Sequence, residues 1–313
     1  MHQSVAAWFA RRTSTAADHD VAVLARRKAE RGLRVSVVLP ARDEARTVGA
    51  CVAAVASLRG TLVDEVLVVD GGSSDRTAAE AAAAGASVVQ AADLLAEHGP
   101  VLGKGDSMWR SLAATDGDLI VFLDTDITDP HPRFVPALLG PLLADDEVQL
   151  VKAFYDRPIQ LDQVLHRTGG GRVTELTARP LINLFWPELA GLVQPLAGEQ
   201  AGRRALLEAL PFATGYGVEL ALLVDTLAAH GADAIAQVDV LERIHRNQSV
   251  PALSRMAFGI TAVAMQRLHP DLELPDGYVQ LVRGPDGAVR PETTTMTVRQ
   301  RPPLASLTRP GGR

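Results

Sequence analysis

The stretch L-I-V-F-L-D-T-D-I-T-D-P, Leu119 to Pro130, decides the fold. Five apolar residues end in Asp124 and Asp126, with Asp129 just beyond. A short apolar run bounded by turn residues reads as a buried strand. A buried strand that finishes in carboxylates places them at the rim of a sheet. On a strand, residues i and i+2 share a side, so Asp124 and Asp126 face the same way and repel. A divalent cation removes that repulsion, and oxygen-only ligands suit Mg²⁺ or Mn²⁺, above all where diphosphate oxygens complete the shell. The same residues also suit a plainer role, capping the loop ahead, as Asp does before Thr and Pro.

Outward from this stretch the pattern repeats. Residues 34–39 (R-V-S-V-V-L) form another apolar run, helical spacing follows over 44–58, and 65–69 (E-V-L-V-V) run into Asp70. Ser74 or Asp75 suits the cap of a helix over the alanine-rich 76–84 stretch. A short strand at 87–90, a helix over 106–114 and the strand at 119–123 complete the series. Strands alternating with helices at this spacing predict an α/β fold with a mostly parallel sheet and right-handed crossovers. Such sheets bind ligands at the carboxyl ends of their strands. Here those ends carry Pro40-Ala41-Arg42-Asp43-Glu44, Asp70-Gly71-Gly72-Ser73 and Asp124-Thr125-Asp126. Three strand ends thus present polar or acidic groups to one rim.

The second half has another texture. A glycine-rich turn at 169–171 precedes a helical stretch over 173–185, and Gly215-Tyr216-Gly217 precedes another over 218–229. A strand over 234–244 ends in Ile244-His245-Arg246-Asn247, and 251–268 read as a helix. The organisation expected is an N-terminal helical extension (1–33), a Rossmann-like half (34–130), a mixed α/β half (131–270) and a tail (271–313). From Arg290 onward the tail has five arginines against one acid, with Pro-rich spacing, and is expected to be partly disordered.

The 313 residues, 47% apolar, suffice for about two domains or for one large α/β domain with an appendage. A formal charge of −6 argues against a nucleic-acid footprint. The single cysteine, Cys51, sits in an Ala- and Val-rich helical pattern; it excludes a disulfide framework and suits a core position in a reducing cytosol. The first 33 residues hold no continuous apolar segment, and no run of 18 apolar residues exists, so neither a signal peptide nor a membrane span is expected.

Two familiar nucleotide folds fail on residues. A dinucleotide site needs G-x-G-x-x-G after its first strand, where this chain has L-P-A-R-D-E. A P-loop needs G-x-x-x-x-G-K-[ST]; Gly99-Pro100-Val101-Leu102-Gly103-Lys104-Gly105 is one spacer short, and no hydroxyl follows the lysine. Lys104 is one of three lysines against 28 arginines. Between two glycines it suits a compact charge for a phosphate or sugar, or a solvated loop. Gly169-Gly170-Gly171-Arg172-Val173-Thr174-Glu175 lets backbone N–H groups converge beside a helix start, adding the Arg172 fork and the Thr174 hydroxyl. It reads as a second anion site, for an acceptor, or as a flexible turn before an ordinary helix. Glu219 either complements a helix dipole or faces an acceptor hydroxyl. His245, beside Arg243 and Asn247, is either structural or an imidazole completing a cation's shell beside Asp126.

The three rim segments together resemble the nucleotide-binding half of GT-A glycosyltransferases. Longer stretches narrow the resemblance: G-G-R-V-T-E-L-T-A-R-P-L from Gly170, Q-P-L-A-G-E from Gln194, L-P-F-A-T-G-Y-G-V-E from Leu210, D-A-I-A-Q-V from Asp233 and H-R-N from His245. Over roughly residues 30–270 these resemble the glucosyl-3-phosphoglycerate synthases of actinobacteria. The resemblance implies a cytoplasmic homodimer that moves glucose from UDP-glucose to the 2-hydroxyl of 3-phosphoglycerate, with retention and with Mg²⁺ or Mn²⁺. The product would lead toward methylglucose lipopolysaccharide or glucosylglycerate. It further implies metal ligation by Asp126 and His245, and a nucleotide-sugar site of Pro40, Ala41, Arg42, Asp43, Glu44, Asp70, Gly71, Lys104, Asp124 and Thr125. The acceptor would be held by Gly170, Arg172, Thr174, Tyr216, Arg243 and Asn247. Glu219, Lys104 and Asp124 would attend the reacting centre.

Two positions depart from the family. Asp43 stands where Asn is expected near the diphosphate, and Gly71 where Ser is expected beside the uracil. Both leave the donor base open, and a mannosyl-3-phosphoglycerate synthase using GDP-mannose is the nearest alternative. A GT-A scaffold that binds a nucleotide sugar without turnover is a reading from another class; the presence of Asp126, His245, Arg172 and Glu219 weighs against it. A sugar-phosphate nucleotidyltransferase would carry a Gly-rich, Arg- and Lys-bearing loop after its first strand, which is missing here.

Overall fold

The computed structural model describes residues 2–156, 159–161, 164–166, 171–242 and 249–307. The chain opens with α1 (His2–Arg12), β1 (Thr13–Thr15) and α2 (Val21–Glu30). It then alternates β2 (Val35–Ala41), α3 (Val48–Ala56), β3 (Glu65–Asp70), α4 (Thr77–Ala83), β4 (Ser87–Gln90), α5 (Lys104–Ser111), β5 (Leu119–Phe122), α6 (Phe134–Ala144) and β6 (Leu150–Asp156). A small hairpin of β7 (Ile159–Leu161) and β8 (Val164–His166) follows, then α7 (Arg179–Phe185), β9 (Gln200–Arg203), α8 (Arg204–Ala209), β10 (Phe212–Ala213), α9 (Val218–His230), β11 (Ile235–Glu242) and α10 (Val250–Leu268). The hairpin of β12 (Gly277–Arg283) and β13 (Val289–Thr295) and the short β14 (Gln300–Arg301) come last.

Eight strands form the main sheet in the order β1-β11-β6-β9-β5-β2-β3-β4. Every pairing in it is parallel except those of β9, which runs against β5 and β6. Its first residue, Gln200, therefore lies opposite Phe122, at the rim where the other strands end. Both faces are covered, and the strand residues divide by parity: Val35, Val37 and Leu39 enter one core and Val38 the other. The first core packs against α3 and α6 through Val52 and Leu138, the second against α5 and α9 through Trp109 and Leu222. That double burial is why these strands read as unbroken apolar runs. No described helix is long and apolar enough to cross a membrane.

Three features differ from the sequence reading. The N-terminal extension is not helical throughout: β1 pairs with β11 as the sheet's edge, and Trp8 of α1 is buried. Helix α6 and strands β6 and β9 join the α/β core without having been legible. Residues 290–307 of the tail are built into the fold, and two of their arginines have partners: Arg290 pairs with Asp286, and Arg301 reaches further. Arg301 binds both carboxylate oxygens of the fully buried Asp106, at 2.9 Å and 2.6 Å, and the carbonyls of His98 and Pro100. Arg110 shares Asp106 at 3.0 Å and reaches the Gly99 carbonyl at 2.6 Å. Trp109 donates to Pro302 O at 2.8 Å. The last strand thus fastens the loop leading into α5, the helix that begins with Lys104.

Breaking a buried pair by removing one partner costs about 3 kcal/mol or more. Arg301→Ala should lower the urea-unfolding free energy by about that amount. A loss under about 1 kcal/mol would show that the tail is only draped on the fold.

Candidate active site

The ends of β2, β3 and β5 open onto a cavity of about 800 Å³. Its wall includes Pro40 and Ala41 at the end of β2, Arg42 and Glu44 just beyond it, Gly71 beyond β3, and Asp124, Thr125 and Asp126 beyond β5. Lys104 comes from α5, Glu219 from α9, and Arg172, Thr174 and Tyr216 from the second half. The rim loops are stitched together: Gly71 N donates to Ala41 O at 2.8 Å, and Thr125 Oγ1 to Pro40 O at 3.1 Å. Beneath them the buried Cys51 places Sγ 3.7 Å from the Thr125 carbonyl and 3.8 Å from that of Ile127. The cysteine is a core residue that supports the D-x-D loop.

Lys104 is the centre of the site. Its ammonium donates to Asp124 Oδ1 at 2.6 Å and to Glu219 Oε1 at 2.9 Å. The side chains are 25%, 23% and 7% exposed for Lys104, Asp124 and Glu219, so the cluster is shielded yet faces the cavity. Burial opposes the lysine's charge, but Asp124 and Glu219 outweigh it and hold the ammonium well above the usual lysine range. Two glycines make the convergence possible. A β-carbon on Gly105 would overlap the Ala213 carbonyl and Val218, so the first turn of α5 lies flush against the start of α9. A β-carbon on Gly198 would overlap the Asp124 carboxylate.

Two of the expected nucleotide residues lie off the wall. Asp70 is 3% exposed, and its Oδ1 accepts from Gly72 N, Ser73 N and Ser73 Oγ, shaping the β3 loop. Asp43 has φ of 55°, a left-handed conformation that Asn and Asp tolerate. Its Oδ1 accepts from Ser74 N at 2.7 Å and Ser74 Oγ at 3.0 Å. The Asp43 charge is therefore directed to the neighbouring loop rather than into the cavity. At Gly71 an added β-carbon would make only ordinary contacts, so the missing hydroxyl is not a steric requirement.

In the segment expected to hold the acceptor, Gly171 has φ of 76° and Thr174 is 4% exposed. The helix begins at Arg172 and Val173 and runs through a π-turn over Thr174–Ala178 before α7; such turns recur at functional sites. Tyr216 is half exposed. Gly170, Arg243, His245 and Asn247 lie outside the described residues.

Among the described residues no three His, Cys, Asp or Glu side chains converge on a metal position. The donor set still fits a hard cation, because Mg²⁺ is commonly held by one or two carboxylates, with substrate phosphates and waters as the remaining ligands. Asp126, on the cavity wall, provides such a carboxylate.

The sequence reading gave no role to Gly198, although it lies within Q-P-L-A-G-E. It also missed Ser107, the α10 residues Met256 and Ile260, and the segment from Thr295, the end of β13, to Val298, all on the wall. The last two groups carry no chemical signature that sequence alone would flag.

A mixed sheet with a D-x-D element at its rim is the GT-A glycosyltransferase fold, and residues 36–193 match the model of glycosyl transferase family 2. The glucosyl-3-phosphoglycerate synthase of Mycolicibacterium smegmatis is 46% identical over 283 residues, 89% of this chain and 91% of that one. Mannosyl-3-phosphoglycerate synthase from Rubrobacter xylanophilus superposes with a TM-score of 0.90 at 41% identity, covering 97% of this chain and 100% of that one. Glucosyl-3-phosphoglycerate synthase from Mycobacterium tuberculosis, in complex with Mn²⁺, UDP-glucose and phosphoglyceric acid, gives 0.82 at 44% identity, covering 91% and 94%. The chain belongs to the glucosyl-3-phosphoglycerate synthase family.

Proposed function

We propose that this chain transfers glucose from UDP-glucose to the 2-hydroxyl of 3-phosphoglycerate with retention, giving glucosyl-3-phosphoglycerate and UDP. The observation that carries the reading is one cavity holding the Lys104–Asp124–Glu219 cluster together with Arg172 and Thr174. The β2, β3 and β5 loops serve the nucleotide sugar, and Arg172, Thr174 and Tyr216 hold the acceptor, with Gly170, Arg243 and Asn247 as further contacts. Residues 34–130 are then the donor half and 131–270 the acceptor half, with the tail adding Thr295 to Val298 to the wall. The working unit is taken as a cytoplasmic homodimer, with sedimentation velocity as the check on its size. Relatives solved with a metal support the cation: the Mycobacterium tuberculosis enzyme is described with Mn²⁺ and with Mg²⁺.

A divalent cation on Asp126 and His245 would neutralise charge on the diphosphate. Lys104 spends two of its three N–H donors on Asp124 and Glu219 and directs the third to a diphosphate oxygen, where charge grows as the bond breaks. Glu219, held by Lys104, orients the acceptor rather than attacking. The acceptor hydroxyl enters on the face the diphosphate leaves, and the departing phosphate oxygen takes its proton. Proton NMR of the product should then show the α-anomer. A β-anomer, or a glycosyl–Glu219 adduct in the intact mass, would refute same-face attack.

A mannosyl-3-phosphoglycerate synthase using GDP-mannose is the second reading, favoured by the superposition on the Rubrobacter xylanophilus enzyme.

A further inference from the structure

We infer that Lys152 is a positioning residue for this transfer: from β6 it pins the turn that carries Gly198, and that turn holds the Asp124 carboxylate against Lys104. The inference rests on the site reading proposed above. Lys152 is 1% exposed, and its ammonium donates to the Ala197 carbonyl and, at 2.9 Å, to Gln200 Oε1. These acceptors flank Gly198, whose Cα lies so close to Asp124 that a β-carbon would overlap the carboxylate. Asp124 in turn accepts from Lys104 at 2.6 Å. One ammonium is thus linked to the other through a single turn and a single carboxylate.

Charge argues that this lysine is more than core filler. A buried ammonium is costly beside an apolar side chain of similar length. The chain's other two lysines each pair with a carboxylate, Lys28 with Asp64 at 2.7 Å and Lys104 with Asp124 at 2.6 Å. Lys152 donates to a carbonyl and an amide oxygen instead. Burial pushes its ammonium down to about 8; Glu219 pulls it up, Lys104 pushes it down, and Glu199 and Asp124 pull it up. Three of the four groups that feel its charge, Glu219, Lys104 and Asp124, are those of the site.

The test is steady-state kinetics of Lys152→Met, Gly198→Ala and the double variant with UDP-glucose, 3-phosphoglycerate and Mg²⁺, beside the wild-type chain. Lys152→Met should lower kcat about tenfold or more with both KM values within about twofold, since the loss is one of alignment. The double variant should be no slower than Gly198→Ala alone, because both changes act through one turn. A kcat within about twofold of wild type, or losses that multiply in the double variant, overturns the inference. If Lys152→Met does not fold, Lys152→Met with Gln200→Leu removes both side-chain partners and is judged by the same criteria. A wild-type chain without turnover would sink the functional reading instead. Crystal structures of wild type and Lys152→Met then decide: a displaced Gly198 turn supports positioning, and an unmoved turn with the Lys104–Asp124 contact intact overturns it.

Discussion

Lys104→Met should cut kcat about 10²- to 10³-fold, the loss found when one preorganised donor to a developing charge is removed. Two effects add in this site. In the proposed mechanism the diphosphate loses the N–H that meets its growing charge. Asp124 and Glu219, both within 3 Å of the ammonium in the native chain, lose the cation that lets them coexist. The native lysine is raised by its carboxylates, so its folded value lies above the unfolded one. Its contribution to stability is then complete below the ordinary lysine range and is lost only as pH rises through the raised value. An alkaline loss of activity below pH about 10 would need another group as its source. Steady-state rates at saturating substrates, with a melting curve to show that the variant folds, measure the effect. A kcat within about tenfold of wild type would remove Lys104 from the reacting centre.

Arg172→Ala should act on the other substrate. A charge-assisted, forked contact to phosphate or carboxylate contributes about 1.5–3 kcal/mol. The KM for 3-phosphoglycerate should therefore rise about 10- to 100-fold, while that for UDP-glucose stays within about twofold. Arg172→Lys should recover little, because an ammonium keeps the charge and loses the planar fork. Titrating each substrate at saturation of the other separates the two constants. A rise confined to the UDP-glucose KM would place Arg172 on the donor and undo the acceptor assignment.

What the residue order made legible follows from how each element is buried. Strands β2, β3 and β5 are covered on both faces, so V-S-V-V-L, E-V-L-V-V and L-I-V-F stand out as apolar runs that stop at polar rims. Helix α6, F-V-P-A-L-L-G-P-L-L-A, is buried on almost every side and has no polar face to set a period, and Pro141 lies inside it. Strand β6 hides because Lys152 breaks its apolar run, and β9 because Q-A-G-R has almost no strand-forming residues.

The site divides in the same way. The D-x-D pair and the loop beyond β2 are contiguous in sequence and could be read directly. The contact between Lys104 and Glu219 spans 115 residues and depends on Gly105 having no side chain. Gly198 is silent until Asp124 is seen against it. The order of the tail depends on Asp106, 195 residues from Arg301.

The most direct test of the central claim is a mass spectrum of the products formed from purified protein, 3-phosphoglycerate and Mg²⁺, with UDP-glucose and GDP-mannose in separate tubes. A hexosyl-phosphoglycerate should appear with UDP-glucose and vanish when EDTA is added. Product from GDP-mannose alone would contradict the donor assignment, and intact donor in both tubes would contradict the transfer itself.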